Sequence, residues 1–162
     1  NLVKLVEMDE QSGEIWCRLA GARVAKGDVL LFLDCHIEVG YNYLPPLLEP
    51  IARNYRTVTV PTLDVISKKT YEITEFPRGR TVFDWHFHAQ RIPLKDADWD
   101  LSPDENYPTP IIWGSTYAIS TKHFWELKPD SGLITQGADF LEMSFKINLC
   151  PMTTLQQLKL II

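Results

Sequence analysis

Apolar and polar positions fall in blocks along this chain, and the sharpest block is Val29 to Leu33, five consecutive apolar residues that stop at Asp34-Cys35-His36. A run of that length bounded by polar residues predicts a buried central strand. Ahead of it Ile15, Leu19 and Ala22 recur at helical spacing until Gly27 ends the pattern. Behind it, Tyr43 to Arg53 reads as a short helix opened by prolines, and Thr57 to Ile66 as a second β-rich segment. Val82 to Ala89 alternates like a strand, with Asp84, His86 and His88 on one face and Phe83, Trp85 and Phe87 on the other. Ser120 is placed to cap a short helix ending at Leu127. The last helix, Ala138 to Leu149, stacks Leu141, Phe145 and Leu149 on one face and spaces Glu142 and Lys146 as an ion pair.

The strand pattern delivers Asp34 and His36 to a carboxyl end, where open α/β sheets keep their ligand sites. Side chains two apart on extended chain share a face, about 6–7 Å apart at the root, so one divalent ion can take both. A carboxylate with an imidazole suits a borderline ion such as Mn²⁺, and such an ion suits a diphosphate. The plainer reading is a turn-forming Asp with an exposed His beside it. Asp84, His86 and His88 fit either a zinc face or two exposed histidines on a sheet. Trp113, Tyr117, Phe124 and Trp125 fit either sugar stacking or the core. The 162 residues, 45% hydrophobic, are enough for one core, and a formal charge of −5 without long runs argues against a nucleic-acid surface. No stretch reaches the roughly 18 apolar residues of a membrane span. Residues 91–110 alternate prolines with acidic residues and read as a solvated surface connector. Cys17, Cys35 and Cys150 form no Cys-X-X-Cys, so neither a zinc ribbon nor a closed disulfide framework is implied.

The order Arg18-Leu19, Gly21-Ala22, Ala25, Gly27, Val29-Leu30, Phe32-Leu33-Asp34, His36, Glu38, then Leu44, Pro46-Leu47-Leu48, then Val60-Pro61 and Asp64-Val65-Ile66, resembles the polypeptide N-acetylgalactosaminyltransferases. Phe83-Asp84-Trp85, Pro110 to Ile119 and Leu141 to Lys146 follow in family order, so the resemblance covers residues of about 10 to 150. It implies a GT-A-like, Rossmann-type α/β sandwich with a mostly parallel central sheet flanked by helices. Residues 1–150 would be a partial glycosyltransferase catalytic domain and residues 151–162 a divergent C-terminal tail. The implied activity is retaining transfer of GalNAc from UDP-GalNAc to Ser or Thr of an acceptor polypeptide, starting mucin-type O-glycans in the Golgi lumen. Mn²⁺ is the implied cofactor, held by Asp34 and His36. Arg18, Asp34, Gly114 and Ser115 would bind the donor, and Asp139 would be catalytic. Membrane attachment would come only through an anchor not present in this chain.

Departures from the family temper that expectation. Gln11 to Trp16 replaces Arg-Glu-Gly-Leu-Ile-Arg, removing two cations; Trp113-Gly114-Ser115-Thr116-Tyr117 replaces Ala-Gly-Gly-Leu-Phe. Gln136-Gly137-Ala138-Asp139-Phe140 replaces Trp-Gly-Gly-Glu-Asn, so the carboxylate is one methylene shorter, and a misplacement of about 1 Å can cost on the order of 10²-fold in rate. The family's metal-completing His and the cysteine that pairs with the Cys150 counterpart both lie downstream of that counterpart, and neither occurs after Cys150 here. The 162 residues alone are therefore expected to be weakly active or inactive. The alternative is a catalytically dead paralogue that binds a peptide or partner protein.

Overall fold

The computed structural model describes residues 3–8, 13–94, 105–112, 114, 116–133, 137–150 and 153–159. Of the acidic, proline-rich stretch 91–110, residues 95–104 lie outside them, and at its described ends Leu94, Tyr107 and Thr109 are buried, which corrects the solvated-connector expectation there. Four helices are described, α1 (Gly13–Val24), α2 (Leu44–Arg53), α3 (Thr121–Leu127) and α4 (Ala138–Leu149). The strands are β1 (Val29–Phe32), β2 (Thr57–Thr62), β3 (Val65–Ile66), β4 (Ile73–Thr74), β5 (Arg80–Phe83), β6 (Ala89–Ile92), β7 (Tyr107–Pro108), β8 (Tyr117–Ser120) and β9 (Thr154–Lys159). The main sheet has the order β1-β8-β2-β9-β7, while β3–β4 and β5–β6 form two separate hairpins.

Side-chain alternation assigns the layers. Leu30, Tyr117, Ile119, Val58 and Val60 share a core with Ile15, Leu19 and Ala22 of α1, Phe124 and Leu127 of α3, and Met143 and Ile147 of α4. Their strand neighbours Val29, Leu31 and Ala118 pack instead with Leu47 and Ile51 of α2. The sheet is thus sandwiched between α2 and the other three helices. On the α2 side the buried Thr59 hydroxyl donates to the Leu47 carbonyl at 3.0 Å, which satisfies it and ties α2 to the sheet.

The sheet is mixed, which corrects the mostly parallel expectation. β2 and β9 run parallel, β8 runs antiparallel to both β1 and β2, and β7 runs antiparallel to β9. A continuous apolar run reports that both faces of a strand are covered and says nothing of its direction. For the same reason β1 is not the central strand its composition suggested. It pairs only with β8 among the described residues, and just one of its four residues is fully buried. The centre belongs to β2 and β8, buried along their whole length. β9 comes from the segment set apart in the sequence as a tail, and its six residues pair with all six of β2.

Two further expectations are revised. In α4 the inward residues are Met143, Ser144 and Ile147, while Phe145 and Leu149 are exposed. Two apolar stripes compete on this helix, and Phe145 turns outward to meet Phe83 and Phe87. The alternating stretch from Val82 to Ala89 is a hairpin rather than one strand: β5 ends at Phe83 and β6 begins at Ala89, with a turn between. The Asp84 carboxylate accepts from the backbone N–H groups of His86 (2.8 Å) and His88 (3.0 Å), and Phe87 takes a left-handed φ of 61°. These bonds, that of His88 foremost, hold the Asp84 carboxyl below its ordinary pKa.

The Ser120 cap forms as the pattern required, its hydroxyl oxygen accepting from the His123 N–H at 3.1 Å. His123 itself is buried completely, with Glu126 at 3.4 Å from one ring nitrogen and Thr153 at 3.4 Å from the other. Burial pulls its pKa below the ordinary 6.5, against the opposing pull of Glu126.

Two measurements check this packing. Ile119→Ala, at a fully buried position in β8, is expected to lower the unfolding free energy by about 2–5 kcal/mol in urea melts, against less than about 1 kcal/mol for the half-exposed Leu33→Ala. Because the folded chain resists protonating His123, the unfolded chain binds more protons below 6.5. Stability should therefore fall as pH drops from 6.5 toward the lower folded value, and His123→Asn should flatten that slope relative to the parent.

Candidate active site

Asp34 lies two residues beyond β1 and is half-buried, and Cys35-His36 form the turn that follows, with His36 exposed. Counting by twos from Leu30 and Phe32, strand parity directs Asp34 toward the α1 side of the sheet. There a cleft of about 600 Å³ runs between α1 and β1, lined by Arg18 and Asp34 together with Glu14, Cys17 and Cys35. Neither Asp34 nor His36 makes a hydrogen bond or ion pair with another described residue, so both donor groups remain available.

Arg18 is the hub of the site. It forms ion pairs with Glu14 one helical turn earlier and with Asp139 in the first turn of α4. The Arg18 and Asp139 side chains are only 14% and 11% exposed, so the pair is held largely out of water. One Asp139 oxygen, Oδ1, is buried without a hydrogen-bond partner. Gly137, the N-cap of α4, sits at φ 81°, and a Cβ there would lie 2.8 Å from the Phe140 ring. Glycine at this position lets the chain turn into the helix that presents Asp139.

Arg18 and Asp34 thus share one cleft, and Arg18 and Asp139 share one ion pair. The cleft lining does not extend to His36 or Gly114. Gly114 adopts φ 76° with open space where a side chain would project. Ser115 and Trp113 lie outside the described residues. Tyr117 and Phe124 are core residues, their rings tilted against Phe32 at 4.8 and 5.4 Å, and burial pushes the Tyr117 phenol well up. Among the described residues no three His, Cys, Asp or Glu side chains gather to hold a metal, so Asp84, His86 and His88 form no zinc face. No disulfide joins the three cysteines. Glu14 is the participant the sequence pattern left unassigned; its spacing of four from Arg18 was the available signal.

Removing one partner of a largely buried ion pair leaves the other charge uncompensated. Asp139→Ala is expected to cost about 3–5 kcal/mol of stability, whereas Glu49→Ala, which breaks the exposed Arg53–Glu49 pair, should cost less than about 1 kcal/mol. Paired urea melts compare them directly.

The model of glycosyl transferase family 2 matches residues 1–126. Over 91% of its length the chain is 44% identical to N-acetylgalactosaminyltransferase 6 of Drosophila melanogaster and 38% identical to polypeptide N-acetylgalactosaminyltransferase 10 of Homo sapiens. It covers 22% and 25% of those two proteins, so it spans about a quarter of the length of its curated relatives. The crystal structure of GalNAc-T7 with UDP, GalNAc and Mn²⁺ superposes with a TM-score of 0.87 at 34% identity, covering 93% of this chain and 30% of that one. The chain therefore belongs to glycosyl transferase family 2 and shares sequence and fold, a mixed sheet between helices, with its polypeptide N-acetylgalactosaminyltransferases.

Proposed function

We propose that this chain is the donor-binding part of a UDP-GalNAc:polypeptide N-acetylgalactosaminyltransferase, a retaining hexosyltransferase acting on Ser or Thr of an acceptor polypeptide in the Golgi lumen. The observation that carries this reading is the shared cleft of Arg18 and Asp34, in a fold whose GalNAc-T7 counterpart was crystallised with UDP, GalNAc and Mn²⁺. Asp34 and His36 would hold Mn²⁺: both are unengaged, and a carboxylate with an imidazole suits that ion. When bound, the metal neutralises charge on the leaving diphosphate. Arg18, with five donors on a planar fork, offers the diphosphate a cation while Glu14 and Asp139 hold it in place. Gly114 and Ser115 would flank the donor sugar, and the unpartnered Asp139 Oδ1 would accept from one of its hydroxyls.

The acceptor reading draws on aromatic residues next to Asp139. Phe83 stacks on Phe140 at 6.3 Å, Phe87 meets Phe145 at 6.3 Å, and Trp85 stands almost fully exposed. Such a surface suits polypeptide better than a second sugar nucleotide. Residues 1–150 form the partial catalytic domain on this reading, with the divergent 151–162 segment contributing a strand to it. Among the described residues no helix is long and apolar enough to cross a membrane.

A second reading is a catalytically dead paralogue that still binds peptide. It is favoured by Asp139, shorter than the family's Glu and locked onto Arg18. A Drosophila melanogaster relative 40% identical over 92% of this chain carries "inactive" in its name.

Calorimetry separates the two. Mn²⁺ should bind at least tenfold more tightly with UDP present, because the diphosphate completes its shell, and Asp34→Ala should abolish that gain. An undiminished gain in Asp34→Ala overturns the donor site. The 162 residues alone should transfer no measurable GalNAc to a Ser/Thr peptide, since losing even one charge-stabilising contact costs about 3–4 kcal/mol of barrier. Robust Mn²⁺-dependent transfer would eliminate the dead-paralogue reading.

A further inference from the structure

A second cavity, about 200 Å³ in volume, lies away from the donor cleft and shares no lining residue with it. Val60, Phe76 and Ile111 supply its apolar wall, and Asp64, Thr81 and Arg91 its polar one. Asp64 comes from the link between β2 and β3, and Arg91 from β6, so two separate elements bring opposite charges to one space. They do not bond each other. Asp64 uses Oδ1 to accept from the Phe76 N–H at 2.7 Å, which leaves Oδ2 buried without a partner. Arg91 has both Nε and Nη2 buried without a partner.

The arginine is built into place. Its guanidinium carbon sits 4.7 Å from the centre of the Phe76 ring, a cation–π contact that holds the group against the cavity wall. Gly79 clears room for it: a Cβ there would fall 2.7 Å from the Ile92 carbonyl oxygen and 3.0 Å from Arg91 Nε. Burial pulls the Arg91 pKa below its ordinary value.

Nε and Nη2 form one edge of the guanidinium, and two parallel N–H groups on that edge match the two oxygens of a carboxylate. Asp64 Oδ2 can only accept, so it calls for an ammonium or hydroxyl on the same ligand. The volume is smaller than the roughly 300–1,000 Å³ of sites for larger organic ligands, which rules out a nucleotide sugar here. We propose that this cavity binds a small amino or hydroxy carboxylate, its carboxylate on the Nε–Nη2 edge of Arg91 and its ammonium or hydroxyl on Asp64 Oδ2.

Titration of the protein with glycine and glycolate, against acetate and methylammonium as one-sided controls, tests this by side-chain NMR and thermal shift. No UDP or Mn²⁺ is added, so the outcome is independent of the donor-site reading. Glycine and glycolate should bind at least tenfold more tightly than either control. Arg91→Lys should weaken glycine at least tenfold, because an ammonium cannot make the paired bonds. Asp64→Asn, which keeps the shape, should bring glycine down to the level of acetate while the circular dichroism melt stays cooperative. Failure of glycine and glycolate to bind more tightly than acetate, or unchanged glycine affinity in folded Arg91→Lys or Asp64→Asn, means that the cavity holds only water and overturns the proposal.

Discussion

Leu30, Ile119, Val58 and Leu155 stand side by side across four neighbouring strands, and the elements that carry the candidate site take their positions from that row. All four are buried, and burying each such side chain is worth about 1.5–3 kcal/mol. The row also sets phase. A slip of one residue in any strand would exchange its faces, sending Leu30 to the α2 side and bringing Leu31 into the α1 core. With the phase fixed, Phe32 lies on the α1 side, and Asp34 follows toward the cleft that Arg18 lines.

Arg18 extends that order electrostatically. It reaches from α1 to the first turn of α4, where the positive end of the helix already favours the Asp139 carboxylate. One guanidinium shared by Glu14 and Asp139 leaves the trio with a net negative charge. On the proposed donor-site reading, a diphosphate arriving near Arg18 would meet a cation already engaged, and more of the charge compensation would fall on an ion held by Asp34 and His36. Mutual restraint of this kind favours precise placement over strong attraction.

Much of this was legible in the residues. The Ile15, Leu19 and Ala22 stripe of α1, the Ser120 cap, the bounds of α4 and the place of Asp34 at a strand end all rest on local periodicity or capping chemistry, which act over a few residues. What the pattern could not carry is set by partners far along the chain. Strand direction is one case, since Val29–Phe32 reads identically parallel or antiparallel. The choice of Met143 and Ile147 over Phe145 and Leu149 is another, decided by what each stripe of α4 meets. Asp84 was misread because a side chain that bonds its own turn looks, in sequence, like one more polar position on a strand. Arg91 and Asp64, in the same way, become a pair only once β6 and the β2–β3 link face one cavity.

The central sheet also carries a consequence for how the chain reaches this state. Thr57 of β2 meets Thr154 of β9 across 97 positions, and Thr121 bonds Gly27 across 94. The hairpins and α2 can form from local contacts, but β1 and β2 must wait for partners encoded near the far end of these residues. Closing such loops costs chain entropy before burial repays it, so folding should be slow, with the apolar faces of β1 and β2 exposed in the interval. During synthesis the early strands would emerge well before β8 and β9, so their apolar faces would stay uncovered for an interval that the final packing does not reveal.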